Sequence, residues 1–243
     1  LYDKMDYIVS LKEYNLSKIE QLMNLDLDIL LYPDIGMNPF TIIMGNYRIA
    51  PVQINTWGHS ITSGLENIDY YISSKYYELE DLDKAQQYYS EKLIAMNSLC
   101  TYYRAYNLST ILSREELGIP SNKQVLFCIQ NIRKLNKEFY NLLKNIVELK
   151  PNIIILLRNH FLKDTNKDYI NKITGSKNNI IFVNECDTHR YLCYLYYSTL
   201  VLDTHPFGGC NSSLEVFSLG KIIITYPSEF LPGRFTYGFY KKM

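Results

Sequence analysis

The chain has 243 residues, 47% hydrophobic and 21% charged, and its 25 basic and 25 acidic side chains balance to zero formal charge. That is material for one large domain or two small ones, and the neutral balance argues against nucleic acid or a membrane surface as an electrostatic partner. Five scattered cysteines, odd in number and never in a C-x-x-C pair, argue against a disulfide framework or zinc site and fit a reducing, cytoplasmic compartment.

The chain opens at Leu1 with no leader pattern, as a piece of a longer protein would, and has no apolar run of ~18 residues. Residues 28–32 read as a strand running into Pro33-Asp34-Ile35-Gly36. Asn38-Pro39 then starts a helix with proline at its first position. Residues 52–55 form a strand leading to Trp57-Gly58-His59-Ser60-Ile61-Thr62-Ser63-Gly64, and 68–72 and 92–96 read as further strands. Residues 103–121 are polar, contain Gly118 and Pro120, and make the best linker. The expected division is a first domain over 1–110, a linker at 111–121 and a second domain over 122–243.

From residue 122 the alternation is cleaner. Residues 125–129, 153–157, 180–183, 200–202 and 222–225 are short apolar strands. Asn136 caps a helix whose Phe139, Leu142, Leu143, Ile146 and Val147 keep the three/four spacing. Residues 187–197 and 212–219 read as helices, the second ended by Gly220. Apolar strands alternating with helices give an α/β fold, a parallel sheet covered on both faces. Ligands of such sheets sit at the carboxyl ends of the strands.

One such end carries Leu202-Asp203-Thr204-His205-Pro206-Phe207-Gly208-Gly209-Cys210-Asn211-Ser212-Ser213-Leu214-Glu215. Strand, glycine turn and helix start make an anion site, where unpaired N–H groups and the helix dipole converge on a phosphate. The same residues also fit a capping box, Ser212-x-x-Glu215, whose only task is to start the helix. Two D-x-D matches, Asp26-Leu27-Asp28 and Asp81-Leu82-Asp83, are read as chance rather than as a metal-holding motif, since neither leaves a strand. With no G-x-G-x-x-G after the first strand of either half, a dinucleotide oxidoreductase is set aside.

Several blocks then agree in order and spacing: Ala50-Pro51-Val52-Gln53, Trp57 to Gly64, Ile68-Asp69-Tyr70, Tyr89-Ser90-Glu91-Lys92-Leu93, Lys134, the glycine loop and Gly233-Arg234-Phe235-Thr236. Over roughly residues 28–243 the chain resembles the catalytic region of the O-linked N-acetylglucosamine transferases and their bacterial or viral relatives. Protein N-glucosyltransferases of the adhesin-modifying type are more distant kin. The resemblance implies a GT-B fold of two Rossmann-like domains with parallel sheets, of which the N-terminal one is incomplete here. It implies transfer of a sugar, N-acetylglucosamine first and glucose or another hexose as the alternative, from a UDP-sugar to Ser/Thr hydroxyls of a protein or peptide acceptor with inversion, and without a metal cofactor. A truncated, non-catalytic nucleotide-binding piece is the alternative of a different class.

By the same resemblance Lys134 holds the diphosphate, with Arg133 as a competitor, and Asn131 stands in place of a family glutamine near the nucleotide. Gly209, Asn211 and Ser212 bind phosphate, and Glu215 accepts from the ribose hydroxyls, a task that suits a carboxylate. His189 sits beside the uracil, with His160 and His205 as lesser candidates. His59 orients the acceptor or contacts the sugar, the alternative being a loop histidine packed by Trp57. The positions assigned to chemistry are His59 and Lys134.

Overall fold

A computed structural model describes residue 8 and residues 15–159, 164–175 and 178–243, with no side-chain description at 164–166. His160 lies outside the described residues. The chain divides into two compact units, Leu1–Lys75 with Leu79–Cys100 and Tyr76–Glu78 with Thr101–Met243.

The first unit orders α1 (Leu16–Met23), β1 (Ile29–Tyr32), α2 (Pro39–Gly45), β2 (Val52–Thr56), β3 (Tyr70–Ser74), α3 (Leu82–Gln86) and β4 (Lys92–Met96). Its four strands pair in sequence order, all parallel. Asn38 starts α2 as expected, accepting from Phe40 N with Pro39 in the first turn. Ile19, Leu22, Tyr32, Phe40, Met44 and Ile68 form the core. The third strand begins two residues later than the apolar pattern suggests. Ile68 is spent on that core, and the Asp69 carboxylate accepts from Gln53 N at 2.7 Å and Arg48 at 2.6 Å before the ladder starts. Gln53 is fully buried and structural, accepting from Ile49 N and donating to the carbonyls of Tyr47 and Asn67.

The second unit orders β5 (Gln124–Cys128), α4 (Lys137–Leu149), β6 (Ile153–Asn159), α5 (Asp164–Thr174), β7 (Ile180–Asn184), α6 (Thr188–Tyr197), β8 (Leu200–Leu202), α7 (Asn211–Ser218), β9 (Ile223–Ile224) and α8 (Phe235–Lys242). The parallel strands lie in the order β7-β6-β5-β8-β9. One face packs Val125, Phe127, Ile154, Leu156 and Val201 against Leu192, Leu195 and Val216 of α6 and α7. The other packs Leu126, Cys128, Ile155 and Leu157 against Phe139, Tyr140, Leu143 and Ile170 of α4 and α5. Successive residues of one strand feed opposite cores, which is why these strands are apolar throughout. Residues 101–123 carry no helix or strand, yet Leu117 and Ile119 are buried in the first of these two cores.

The chain leaves β5 toward β6 and β7 and returns on the opposite side with β8. The sheet therefore has its switch point between the carboxyl ends of β5 and β8, the crevice where ligands of open parallel sheets bind.

Candidate donor site at the sheet switch point

Two loops meet in that crevice. After β5 come Ile129, Gln130, Asn131 and a single 3-10 turn, Ile132–Lys134. After β8 come Asp203 to Gly209, with a cis His205–Pro206 peptide, and then α7. Lys134 Nζ joins them, donating to Gly208 O at 2.7 Å and to Gln130 Oε1 at 2.9 Å. Gln130 Nε2 continues the chain to Ser212 Oγ at 3.1 Å. The ammonium also lies 3.9 Å from the Phe207 ring centroid, a cation–π contact. Two of its three N–H groups are committed within the protein. Burial holds the Lys134 pKa below the ordinary lysine value, against an opposing pull from Asp203.

The expected capping box does not form. The N-cap of α7 is Cys210, and the helix has no side-chain cap. Ser212 and Glu215 fall inside the first turns rather than at N-cap and N3, so their side chains turn to other partners. Ser212 accepts from Gln130, and Glu215 Oε2 accepts from Tyr191 OH at 3.0 Å. An uncapped N-terminus, with a half-buried ammonium tied to the loop in front of it, keeps donors and positive potential available for an anion.

Gly209 is required by its surroundings. A Cβ there would run into the Gln130 amide and stand 2.5 Å from Ser213 Oγ and 2.7 Å from Ser212 Oγ. Gly209→Ala is therefore expected to displace the loop and, if the loop holds the UDP that the resemblance implies, to weaken its binding at least ~10-fold, on the order of 1.4 kcal/mol. Calorimetric titration checks it, and unchanged affinity would show that the loop does not contact the ligand.

Further along α7, burial pushes the Glu215 carboxyl above its ordinary value, offset by the Tyr191 hydroxyl and Arg158. Arg158, at the end of β6, lies 5.4 Å from the Tyr191 ring centroid. His189, exposed at the start of α6, pairs through Nε2 with Thr110, at 3.1 Å from Oγ1 and 3.0 Å from O. Asn131 accepts from Arg133 N and caps the 3-10 turn; Asn211 is exposed as the first residue of α7. The structure thus brings Lys134, Gly209 and Ser212 together, with Glu215 one turn on and His189 on the helix that supplies Tyr191. Sequence reasoning missed Gln130, Asp203, Tyr191 and Arg158. The available signal was position, since Gln130, Arg158 and Asp203 all stand at or just past the carboxyl end of an apolar strand.

A pocket of about 410 Å³ adjoins the same loop, lined by Asn136, Phe139, Leu142, His205, Pro206 and Tyr226. Asn136 Nδ2 donates to His205 O at 3.0 Å and couples the start of α4 to the loop. Among the described residues no group of three or more His, Cys, Asp or Glu is placed to hold a metal ion, and no helix is long and apolar enough to cross a membrane. Asp81 of the second D-x-D match caps α3, accepting from Asp83 N and Lys84 N.

In the first unit, His59 sits in the loop after β2, its ring against Gly36 and its carbonyl accepting from Tyr71 OH at 3.1 Å. Gly36 has φ +115°, and a side chain there would overlap the His59 ring. The far half of the loop is pinned by Glu91, 1% exposed, which accepts from Thr62 Oγ1 at 2.6 Å and from the N and Oγ of Ser63. Burial pushes the Glu91 carboxyl up, but the hydrogen bonds from Ser63 and Thr62 outweigh it and hold the group below its ordinary value. A depressed carboxylate stabilises the fold above the unfolded-state pKa, and that contribution is lost as pH falls through the folded value. The urea midpoint of the first unit is thus expected to fall below about pH 4.5, a fall that Glu91→Gln should flatten; identical pH profiles would contradict this.

No protein-family model matches the chain. It is 25% identical over 190 residues to a probable UDP-N-acetylglucosamine–peptide N-acetylglucosaminyltransferase, SEC, of Arabidopsis thaliana, covering 74% of this chain and 19% of that protein. It is 24% identical over 209 residues to a UDP-glucose:protein N-β-glucosyltransferase of Actinobacillus pleuropneumoniae, covering 80% and 31%. The chain thus spans about a fifth to a third of these curated relatives. Among solved structures, an O-GlcNAc transferase mutant of Thermobaculum terrenum superposes with a TM-score of 0.80 at 18% identity, over 93% of this chain and 43% of that one. The Anabaena protein HepE, solved with UDP and glucose, gives 0.53 at 12% identity, over 90% and 66%. By sequence the chain is similar to O-GlcNAc transferases and protein N-glucosyltransferases, and its two parallel α/β sheets share the fold of the solved O-GlcNAc transferase.

Proposed function

We propose that the chain is the donor-binding part of an inverting glycosyltransferase that moves N-acetylglucosamine from UDP-N-acetylglucosamine to Ser/Thr hydroxyls of protein acceptors. The observation that carries this is Lys134, half-buried at the switch point and hydrogen-bonded to the loop before the uncapped start of α7. In this reading the acceptor oxygen attacks the anomeric carbon as the bond to the diphosphate breaks, and UDP leaves with the negative charge. Lys134 and the N–H groups of Asn211 and Ser212 at the start of α7 stabilise that charge, the leading electrostatic contribution, with Gly209 letting the backbone approach closely, and without recourse to a metal. Glu215 accepts from the ribose hydroxyls, His189 and Asn131 flank the nucleoside, and His59 serves the acceptor or the sugar. A cytoplasmic setting accords with five cysteines outside any disulfide.

UDP-glucose as donor is the second reading, favoured by the 24% identity to the Actinobacillus enzyme. Mass spectrometry of acceptor peptides incubated with each UDP-sugar decides between them. An N-acetylhexosamine increment on Ser/Thr is expected, whereas a hexose on Asn would favour the second reading. UDP binding with neither product would leave a non-catalytic nucleotide-binding piece.

A further inference from the structure

Asp203 follows β8 directly and has no role in the reading above, yet its carboxylate accepts four hydrogen bonds. Oδ1 accepts from Thr204 N at 3.0 Å and Gly209 N at 2.8 Å; Oδ2 accepts from Thr225 Oγ1 at 3.0 Å and Thr236 Oγ1 at 2.8 Å. Four donors fill the acceptor sites of a carboxylate, so Asp203 has none left for a ligand. Its partners come from both ends of the 204–209 loop, from the residue after β9 and from α8. Thr236 extends the network to Ser213 Oγ at 2.7 Å and Gly209 O at 3.3 Å.

Gly208 runs between this carboxylate and Lys134. A Cβ at Gly208 would stand 2.7 Å from Asp203 Oδ2, while Gly208 O accepts from Lys134 Nζ at 2.7 Å. The titratable groups that face the ammonium are Asp203 and the thiols of Cys210 and Cys128. Among the described residues no carboxylate forms a salt bridge with Lys134.

We propose that Asp203 is a positioning residue of the donor site, which holds the 204–209 loop against Lys134 and supplies the negative charge that faces its ammonium. The proposal rests on the donor-site reading. Burial pushes the Asp203 carboxyl above its ordinary value against the pull of its four donors, and burial pulls Lys134 down against Asp203. The Asp203 charge favours the protonated form of Lys134, while the Asp203 carboxylate is itself supported by its four donors. A purely structural aspartate would set loop geometry and leave the titration of Lys134 unchanged.

The test is UDP affinity by calorimetry from about pH 7.5 to about 10.5, on the wild type, Asp203→Asn and the double variant Thr225→Val/Thr236→Val. Titration of the uracil ring is common to all three proteins and cancels in the comparison. Affinity should fall toward high pH in the wild type and fall ~1 pH unit earlier in Asp203→Asn, the shift expected on losing a nearby opposite charge. A coincident alkaline limb overturns the proposal. If Asp203→Asn does not fold, the double variant, which keeps the charge and withdraws two donors, should weaken UDP binding at least ~10-fold, and unchanged affinity there overturns it. A wild type that binds no UDP at any pH is a different result, which removes the donor-site reading itself.

Discussion

Lys134→Ala is expected to lower the rate of sugar transfer about 10²–10³-fold, the ~2.7–4 kcal/mol typical of one preorganised donor at a developing oxyanion. The size of the effect follows from preorganisation. The ammonium is held by Gly208 O and Gln130 Oε1, contacts within the protein itself, so little reorganisation is expected to accompany charge build-up on the diphosphate. Its depressed pKa adds a pH signature. On the proposed reading the protonated form grips the diphosphate, so affinity is expected to fall as pH rises through the Lys134 pKa, earlier than for an exposed lysine. Steady-state kinetics with a saturating peptide acceptor reads the first effect, and calorimetry across the alkaline range reads the second. A variant within a factor of a few of wild type in both would remove Lys134 from the site.

Arg234→Met is expected to destabilise the second unit by on the order of 3–5 kcal/mol, because three carbonyls lose a charged donor together. Arg234 is 8% exposed; Nη1 donates to Ser228 O at 3.0 Å, Nη2 to Glu78 O at 3.0 Å, and Nε to Tyr77 O. These bonds join residues 76–78 to the second unit, where Tyr77 packs edge-on against Phe235 and Phe239 with centroids 4.9 and 5.6 Å away. Methionine fills much of the volume and pairs with none of the carbonyls. The melting midpoint should fall by roughly 10 °C. Arg234→Lys should recover only part of the loss, since an ammonium lacks the planar fork that reaches three acceptors. A fall of under ~1 kcal/mol would mean that water replaces the guanidinium.

The strands of the second unit were legible because both faces of the sheet are covered, leaving 125–128 and 153–157 apolar at every position. Asn136 and Pro39 marked helix starts through local chemistry alone. By contrast, α5 (DTNKDYINKIT) has too few apolar residues to show a stripe, and α8 (FTYGFYKK) combines aromatics with Gly238, a composition with little helix preference. Both helices are specified by what they pack against. The site divides in the same way. Lys134 and the glycine loop could be found from position along the chain. The diversion of Ser212 to Gln130 and of Glu215 to Tyr191 joins residues 82 and 24 positions apart, and a local capping pattern carries no information about such pairs. The polar stretch 103–121 read as a linker because its two buried anchors, Leu117 and Ile119, are isolated in sequence.

The central claim, a uridine diphosphate site at the switch point of the second sheet, is tested most directly by thermal shift with UDP, ADP, GDP and CDP on the wild type and Lys134→Ala. A ligand at ~100 times its dissociation constant adds ~2.7 kcal/mol of stability, roughly 5–10 °C for a chain of this size. Stabilisation by UDP above the other nucleotides, abolished by Lys134→Ala, is the predicted result. No shift with any nucleotide, or an equal shift in Lys134→Ala, would contradict it.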